Sequence, residues 1–171
     1  MKALFLVADG FEDVQFFCPF YRLREDGVSV TVAAAVDNKP VTGLHGYVVE
    51  PDMPIPELNP SEYDLLVIPG GRAPEGLRLR EEAVDLARTF AQDGSLVAAI
   101  GHGPQLLLSA GALDGKSATC DPGIRDDIRS VAAAYRDEGV VVDGALITAR
   151  GNDDLPQFCE QLVAALGARS Q

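Results

Sequence analysis

The sequence predicts a three-layer α/β/α sandwich, with a mostly parallel, doubly wound sheet covered by helices on both faces. Short apolar runs typical of buried strands alternate along the chain with segments of helical spacing, and this alternation favours parallel strands joined by helical crossovers. The carboxyl ends of such strands meet at one edge of the sheet, where ligands bind. The predicted strands are Lys2–Ala8, Val28–Ala34, Asp64–Ile68 and Leu96–Ile100.

Helical spacing and turn residues place the remaining elements. We predict helices at Asp13–Glu25, Glu82–Gln92, Gln105–Ala110 and Asp153–Leu166. Gly27 suits the end of the first helix, and Asn152 or Asp153 suits the cap of the last, with Pro156 in its first turn. We also predict a hairpin formed by Val140–Asp143 and Leu146–Ala149. A short edge strand is predicted at Tyr47–Glu50, and a proline-rich extended connection at Pro51–Pro60.

Composition narrows the classes of function. A chain of 171 residues, 47% of them hydrophobic, suits one domain over residues 1–171. The net charge of −12 disfavours nucleic acid and anionic membrane surfaces as partners. The first apolar run, Ala3–Ala8, is too short for a signal peptide, and no run approaches the length of a membrane span. We therefore expect a cytoplasmic protein.

The cysteines give no sign of a metal site or a disulfide framework. Cys18, Cys120 and Cys159 are widely spaced, and none forms a C-x-x-C pair. By default each is a small buried hydrophobic side chain. The sequence also lacks a nucleotide-binding fingerprint, so we expect no metal and no cofactor.

Three segments follow predicted strands and should meet at the ligand-binding edge: Asp9–Glu12, Pro69–Gly71 and Gly101–Gln105. The last resembles a nucleophile elbow, spanning residues 96–110, in which a strained residue between strand and helix projects its side chain into the site. That residue is normally Ser or Cys, and here it is Gly101. The amides of Gly70 and Gly71 are candidate oxyanion donors.

Several separated motifs together resemble the PfpI family of the class I glutamine-amidotransferase-like superfamily, and the likeness spans nearly the whole chain. The motifs are ADGFEDV from Ala8, VIPGGRAPE from Val67, AAIGHGPQLL from Ala98, GIRDDI from Gly123 and VVVDGALITARGNDDLPQFC from Val140. The resemblance implies a flavodoxin-like fold and activities described as intracellular protease, glyoxalase-type or deglycating, together with stress protection.

The resemblance also implies roles for individual residues. Gly101 falls on the family's cysteine nucleophile, His102 on the neighbouring histidine and Glu12 on the carboxyl group beside the thiol. Glu75 falls on the acid that completes the site from a partner subunit, which implies a homodimer, and relatives commonly assemble into hexamers. The implied ligand is a small carbonyl compound or a peptide.

Gly101 predicts the loss of ordinary thiol chemistry, because a hydrogen atom cannot replace a thiolate nucleophile. A glycine would also relieve the strain of the elbow. We therefore predict a binding pocket with weak or absent cysteine hydrolase activity.

Three alternatives remain. The protein is a non-enzymatic chaperone or regulatory binding module; the thiol chemistry has moved to Cys120, where relatives usually carry an aromatic residue; or His102 and Glu12 activate water directly. In the simplest interpretation Glu75 is a solvated surface acid. We expect His45, which has no recognisable partner in sequence, to be structural.

Overall fold

A seven-stranded, mostly parallel sheet organises the chain in the computed structural model, which describes residues 1–34, 39–131 and 133–169. The strands are β1 (Lys2–Leu6), β2 (Ser29–Ala34), β3 (Val41–Thr42), β4 (Val48–Val49), β5 (Met53–Pro54), β6 (Leu65–Ile68), β7 (Leu96–Ile100), β8 (Ser117–Ala118), β9 (Ala134–Tyr135), β10 (Val140–Asp143) and β11 (Leu146–Ala149). The order in the main sheet is β10-β11-β7-β6-β1-β2-β5, with only β10 antiparallel to its neighbour. The predicted doubly wound α/β fold is confirmed.

Helices cover both faces of this sheet. They are α1 (Asp13–Glu25), α2 (Ala73–Leu77), α3 (Glu81–Gln92), α4 (Pro104–Ser109), α5 (Arg125–Arg129) and α6 (Leu155–Arg169). Short 3₁₀ turns lie at Ile55–Glu57, Pro60–Glu62, Pro122–Ile124 and Asn152–Asp154. None of the helices in the described ranges is both long and apolar enough to cross a membrane.

Alternate residues of the central strands pack into two separate hydrophobic cores, one on each face of the sheet. Phe5 of β1 is buried with Phe16 of α1 and Phe158 of α6 on one face, while Leu4 of β1 is buried with Phe90 of α3 on the other. This alternation follows from the pleat of the strand, which sends successive side chains to opposite faces. Because each large side chain buried in this way contributes about 1.5–3 kcal/mol, both layers of helices are held firmly on the sheet.

The structure agrees with the predicted helix over Asp13–Glu25, the strand over Leu96–Ile100 and the antiparallel hairpin. Other boundaries shift. The first strand ends at Leu6, and the last helix begins only at Leu155, behind a 3₁₀ turn that contains the predicted cap residues, so Pro156 still lies in its first turn.

The region before β6 contains one predicted strand and one that was not predicted. The strand expected at Tyr47–Glu50 is present as β4, which pairs with β3 in a separate two-stranded ribbon. The proline-rich stretch is more than a connection, because β5 lies within it and pairs in parallel with β2 at the edge of the sheet. Proline is tolerated at such an edge, where one side of the strand needs no ladder hydrogen bonds.

Candidate functional site

The strand-end segments predicted to converge do converge, around an open cavity of about 560 Å³ at the carboxyl edge of the sheet. Its lining comes from the segments after β1, β6, β7, β8 and β11, including the first turns of α1 and α2, and from the loop between β3 and β4. The lining residues are Glu12, Gln15, Leu44, Gly71, Arg72, Glu75, Gly101, His102, Asp121, Gly151, Asn152 and Asp153. Gly101, His102, Glu12, Glu75 and Gly71 are thus brought to one site.

Gly101 sits at a sharp strand-to-helix turn. Its N–H donates to the carbonyl of Ala149, continuing the sheet, and its carbonyl accepts from the N–H of Asp121. The backbone angle φ is +64°, in the left-handed region that favours glycine. Helix α4 begins at Pro104, so the predicted elbow geometry is present. The residue at its apex has no side chain.

The carboxamide of Gln15 lies where a side chain at position 101 would begin. A Cβ atom built on Gly101 would be 2.8 Å from Oε1 and 3.0 Å from Nε2 of Gln15. Gln15 is itself buried on α1, three residues after Glu12. Residues three apart on a helix share a face, which brings both side chains to the cavity.

Glu12 is a nearly buried carboxylate at the start of α1. Its Oε1 accepts a hydrogen bond of 3.4 Å from Nδ2 of Asn152 and lies 3.3 Å from Nε2 of His45. Glu12 is only 9% exposed. His45, for which the sequence offers no recognisable partner, thus has one in the structure.

The loop between β3 and β4 places His45 against Glu12 at the rim of the cavity, although His45 is not itself a lining residue. The carboxylate of Asp13 accepts hydrogen bonds from the backbone N–H groups of His45 (2.9 Å) and Tyr47 (3.1 Å). Asp13 is 2% exposed, and a buried carboxylate needs such donors to offset its desolvation. The loop is thereby fastened to the first turn of α1.

His102 follows Gly101 and pairs with an acid that the sequence analysis did not single out. Its Nε2 lies 3.4 Å from Oδ1 of Asp121, and the same oxygen accepts from the N–H of Gly123 at 2.7 Å. Within the described ranges, the buried Nδ1 of His102 has no hydrogen-bond partner. A histidine held in this way by a carboxylate is suited to bind a ligand or to transfer a proton.

The two glycines after β6 differ in what they offer. The N–H of Gly70 donates to Oε1 of Gln15 at 2.9 Å, and Gly70 is not a lining residue, so the predicted oxyanion donor already has a partner within the protein. Gly71 does line the cavity. Beyond Gly71, Glu75 lies in the first turn of α2, where it is exposed to solvent and also lines the cavity. This position is compatible with a solvated surface acid and with an acid that acts in the site.

The structure does not bring Cys120 into the cavity. Its side chain is fully buried in the core on the α3 and α4 side of the sheet, and it is not among the lining residues. Burial, reinforced by the negative charges of Asp121 and Asp127, raises the pKa of the Cys120 thiol to about 12. Such a thiol stays protonated near neutral pH, which opposes a role as a relocated nucleophile.

The other two thiols also lie outside the cavity lining. Cys159 is buried, which raises its pKa to about 11, with a smaller contribution from nearby Cys18. Cys18 is exposed, contrary to the expectation that all three cysteines are buried. In the part of the chain that the structure describes, no cluster of three or more His, Cys, Asp or Glu residues is arranged to hold a metal ion.

Comparison with known proteins supports the resemblance seen in the motifs. The model of the DJ-1/PfpI family matches residues 1–165. The chain belongs to the DJ-1/PfpI family.

Relatives in the DJ-1/PfpI family align over almost their full length. The chain is 45% identical to a protein named as a deglycase from Pyrococcus horikoshii, covering 97% of this chain and 99% of the relative. It is 38% identical to a putative cysteine protease from Bacillus subtilis, covering 92% and 93%. The names of these relatives include a deglycase and a putative cysteine protease. They support the family assignment, but they do not identify one activity.

Solved structures of the DJ-1/PfpI family superpose closely on this chain. Drosophila melanogaster DJ-1beta has a TM-score of 0.90 at 30% identity, with 96% of this chain and 90% of that chain covered. A two-domain protein from Anabaena variabilis, with DJ-1/ThiJ/PfpI-like and ferritin-like domains, has a TM-score of 0.95 at 36% identity. The match covers 98% of this chain and 50% of that one.

Three residues of the site were not predicted from the sequence: Gln15, Asn152 and Asp121. Each had a weak signal: Gln15 is spaced one helical turn from Glu12, Asn152 follows a strand end, and Asp121 adjoins the cysteine that drew attention. None of these signals shows that the side chains meet. Their meeting depends on how the strands are ordered in the sheet.

Proposed function

We propose that this protein is a DJ-1/PfpI-family member that binds a small molecule in the cavity and has weak or absent cysteine hydrolase activity. The observation that carries the proposal is Gly101 at the apex of the elbow, where φ is +64° and no nucleophile projects. His102 then has no adjacent thiol to activate. Removing the nucleophile of a comparable hydrolase lowers turnover on the order of a millionfold.

The groups that remain around the cavity suit a polar ligand. His102 and Asn152 offer hydrogen-bond donors or acceptors, and the carboxylate of Glu12 offers acceptors. Because relatives carry the names deglycase and putative cysteine protease, the proposed ligand is a small carbonyl compound or a peptide fragment. In this proposal a homodimer supplies Glu75 of the partner subunit to the same cavity, and hexamers assemble from such dimers. The biological role would be stress protection.

Turnover and binding should be measured together on the unmodified protein. We expect no turnover of methylglyoxal or of a fluorogenic peptide above the buffer rate, and saturable binding of a 2-oxo acid such as pyruvate in a calorimetric titration. His102→Ala should weaken that binding about tenfold, the loss expected for one hydrogen bond to a charged group.

Two matched variants distinguish the alternatives. Turnover by the unmodified protein that disappears in Cys120→Ser would overturn the proposal in favour of a relocated nucleophile. Turnover that survives Cys120→Ser but disappears in His102→Ala would instead establish direct activation of water. The reaction would then need His102 but not the Cys120 thiol.

An exposed apolar surface favours a second candidate, the holding chaperone. Tyr21, Tyr47 and Val48 are 60%, 63% and 59% exposed, and Phe17 joins the two tyrosines through ring contacts of 6.0 and 5.5 Å. Contiguous exposed apolar groups mark protein-binding surfaces. If this role is correct, Tyr47→Ser reduces the protection of a client protein from aggregation and His102→Ala does not. Equal protection by both variants would contradict it.

A further inference from the structure

One permanently charged cation lies among the acidic side chains of the cavity. Arg72 is the single lysine or arginine among the lining residues that the structure describes, and it follows Gly71 in the segment after β6. The lining also contains four acidic side chains, which are Glu12, Glu75, Asp121 and Asp153. An anionic group that enters the cavity is therefore attracted by Arg72 and repelled by each of these acids.

Several other polar groups around the cavity are already occupied by one another. Oε1 of Gln15 accepts from the backbone N–H of Gly70 at 2.9 Å, and Nε2 donates to Oδ1 of Asn152 at 2.7 Å. Nδ2 of Asn152 donates in turn to the carboxylate of Glu12, so donation runs in one direction from Gly70 to Glu12. The amide donors of Gln15 and Asn152 are thus directed to partners within the protein.

Arg72, in contrast, has no side-chain partner. Within the described ranges its guanidinium makes no ion pair and no hydrogen bond, although Glu12 and Glu75 line the same cavity. Arg150, for comparison, pairs with two carboxylates. A guanidinium keeps its charge at physiological pH and presents a flat set of N–H donors that matches a carboxylate, so the free guanidinium of Arg72 is suited to bind one.

The base of the Arg72 side chain is held between two loops. The N–H of Arg72 donates to the carbonyl of Gly10 at 2.7 Å, and its carbonyl accepts from the N–H of Glu75 at 3.0 Å. Its Cβ and Cγ atoms lie over Gly10, since a Cβ atom built there would be 3.1 and 3.8 Å from them. Phe11 and Gly71 form a β-bridge beside these contacts. Only the end of the side chain therefore has to be ordered when a ligand binds.

We propose that Arg72 is the subsite for the carboxylate of a 2-oxo acid, and that the cavity accepts monocarboxylic 2-oxo acids in preference to dicarboxylic ones. One guanidinium can neutralise one carboxylate. A second carboxylate would lie among the four acids of the lining without a cation of its own. This inference rests on the proposed function, because it names the class of ligand for the same cavity.

Calorimetric titrations of the unmodified protein with pyruvate, methyl pyruvate and 2-oxoglutarate test the class of ligand. Methyl pyruvate keeps the 2-oxo group but carries no charge, and 2-oxoglutarate carries a second carboxylate. We expect pyruvate to bind at least about tenfold more tightly than either, the gain expected from hydrogen bonds to a charged group.

The outcomes of these titrations separate this inference from the proposed function. If methyl pyruvate or 2-oxoglutarate binds as tightly as pyruvate, the inference is overturned and the proposed function stands. If none of the three compounds binds, the proposed function is overturned and the inference with it.

Variants of Arg72 test whether this residue provides the preference. Arg72→Gln should lower the affinity for pyruvate about tenfold to a hundredfold and leave the affinity for methyl pyruvate within about twofold, which also shows that the variant is folded. Arg72→Lys keeps the charge but not the flat set of donors, so it should recover part of the loss. An unchanged affinity for pyruvate in Arg72→Gln, or an equal loss for both compounds, would overturn the inference.

Arg80→Gln is the matched control, because it removes the same charge from an exposed arginine that lies outside the cavity lining. We expect it to change the affinity for pyruvate less than about twofold, since solvent and salt screen charges at a distance. A loss equal to that of Arg72→Gln would show that the net charge of the protein, and not a subsite at Arg72, governs the binding of pyruvate.

Discussion

Gly101 and Gly103 lie two residues apart in one turn, yet they are glycine for different reasons. A Cβ atom on Gly103 would collide with backbone, the carbonyl oxygen of Ile68 and the N and O atoms of Ile100. A Cβ atom on Gly101 would meet only the end of the Gln15 side chain. The first constraint comes from the sheet itself and belongs to the fold. The second combines a left-handed backbone angle with a contact to the end of one side chain, and it lies at the apex of the elbow.

We therefore expect a side chain to be introduced at the apex of the elbow at a lower cost to stability than at Gly103. The ends of the neighbouring parallel strands β6 and β7 leave no room for a side chain at Gly103, whereas Gly101 is constrained by its left-handed backbone and by the Gln15 side chain. Substitutions at the two positions should therefore lower the free energy of unfolding by different amounts.

Gly103→Ala should have the largest effect, a loss of about 3 kcal/mol in the free energy of unfolding, because two strands would have to separate to admit a methyl group. Urea unfolding followed by circular dichroism measures this loss. A loss below about 1 kcal/mol would show that the backbone relaxes easily, and it would remove the contrast between the two glycines.

Gly101→Ala should cost about 2 kcal/mol, divided between left-handed backbone strain and the clash with Gln15. Gly27→Ala is the matched control, since Gly27 has φ +78° and open space where a Cβ atom would lie. It should show the strain alone, about 1 kcal/mol. Equal losses in the two variants, measured by the same urea titration, would show that Gln15 adds nothing.

Cys120 should make the protein less stable in alkaline solution. Its pKa is raised from 9.0 to about 12, so between these values the unfolded chain releases a proton that the folded chain keeps. The unfolded state then binds fewer protons, and the free energy of unfolding falls by about 1.4 kcal/mol per pH unit from this group.

Cys120→Ala provides the comparison for that slope. The variant should be less stable at pH 7, because it leaves a small cavity, but it should lose less stability than the unmodified protein as the pH rises above 9. Parallel stability curves for the two proteins would show that the thiol is accessible and would reopen its role as a nucleophile.

His45→Ala should have the smallest effect on stability, within about 0.5 kcal/mol, because the imidazole is 64% exposed and its contact with Glu12 is long. Its effect should instead appear in ligand binding, since it removes a group that faces the buried carboxylate. Calorimetric titration with the 2-oxo acid measures this, and unchanged affinity would show that the contact between His45 and Glu12 does not contribute to binding.

The sequence was sufficient for features that depend on local pattern. Leu96–Ile100 and Asp13–Glu25 were predicted with the bounds that the structure has, because an apolar run and a helical segment ended by glycine are local signals. β5 was missed because its prolines suggest a connection, and only its pairing with β2 makes it a strand. Gln15 and His45 were missed for the same kind of reason, since their partners lie at the ends of distant elements.

The hydrogen bonds from Gly70 through Gln15 and Asn152 to Glu12 have an electrical consequence. Each carboxamide is a dipole, and because donation runs in one direction the dipoles of Gln15 and Asn152 add instead of cancelling. Their positive ends point to the carboxylate of Glu12. The amide dipoles in the cavity wall are therefore oriented before any ligand binds. A ligand that binds there does not have to reorient these dipoles.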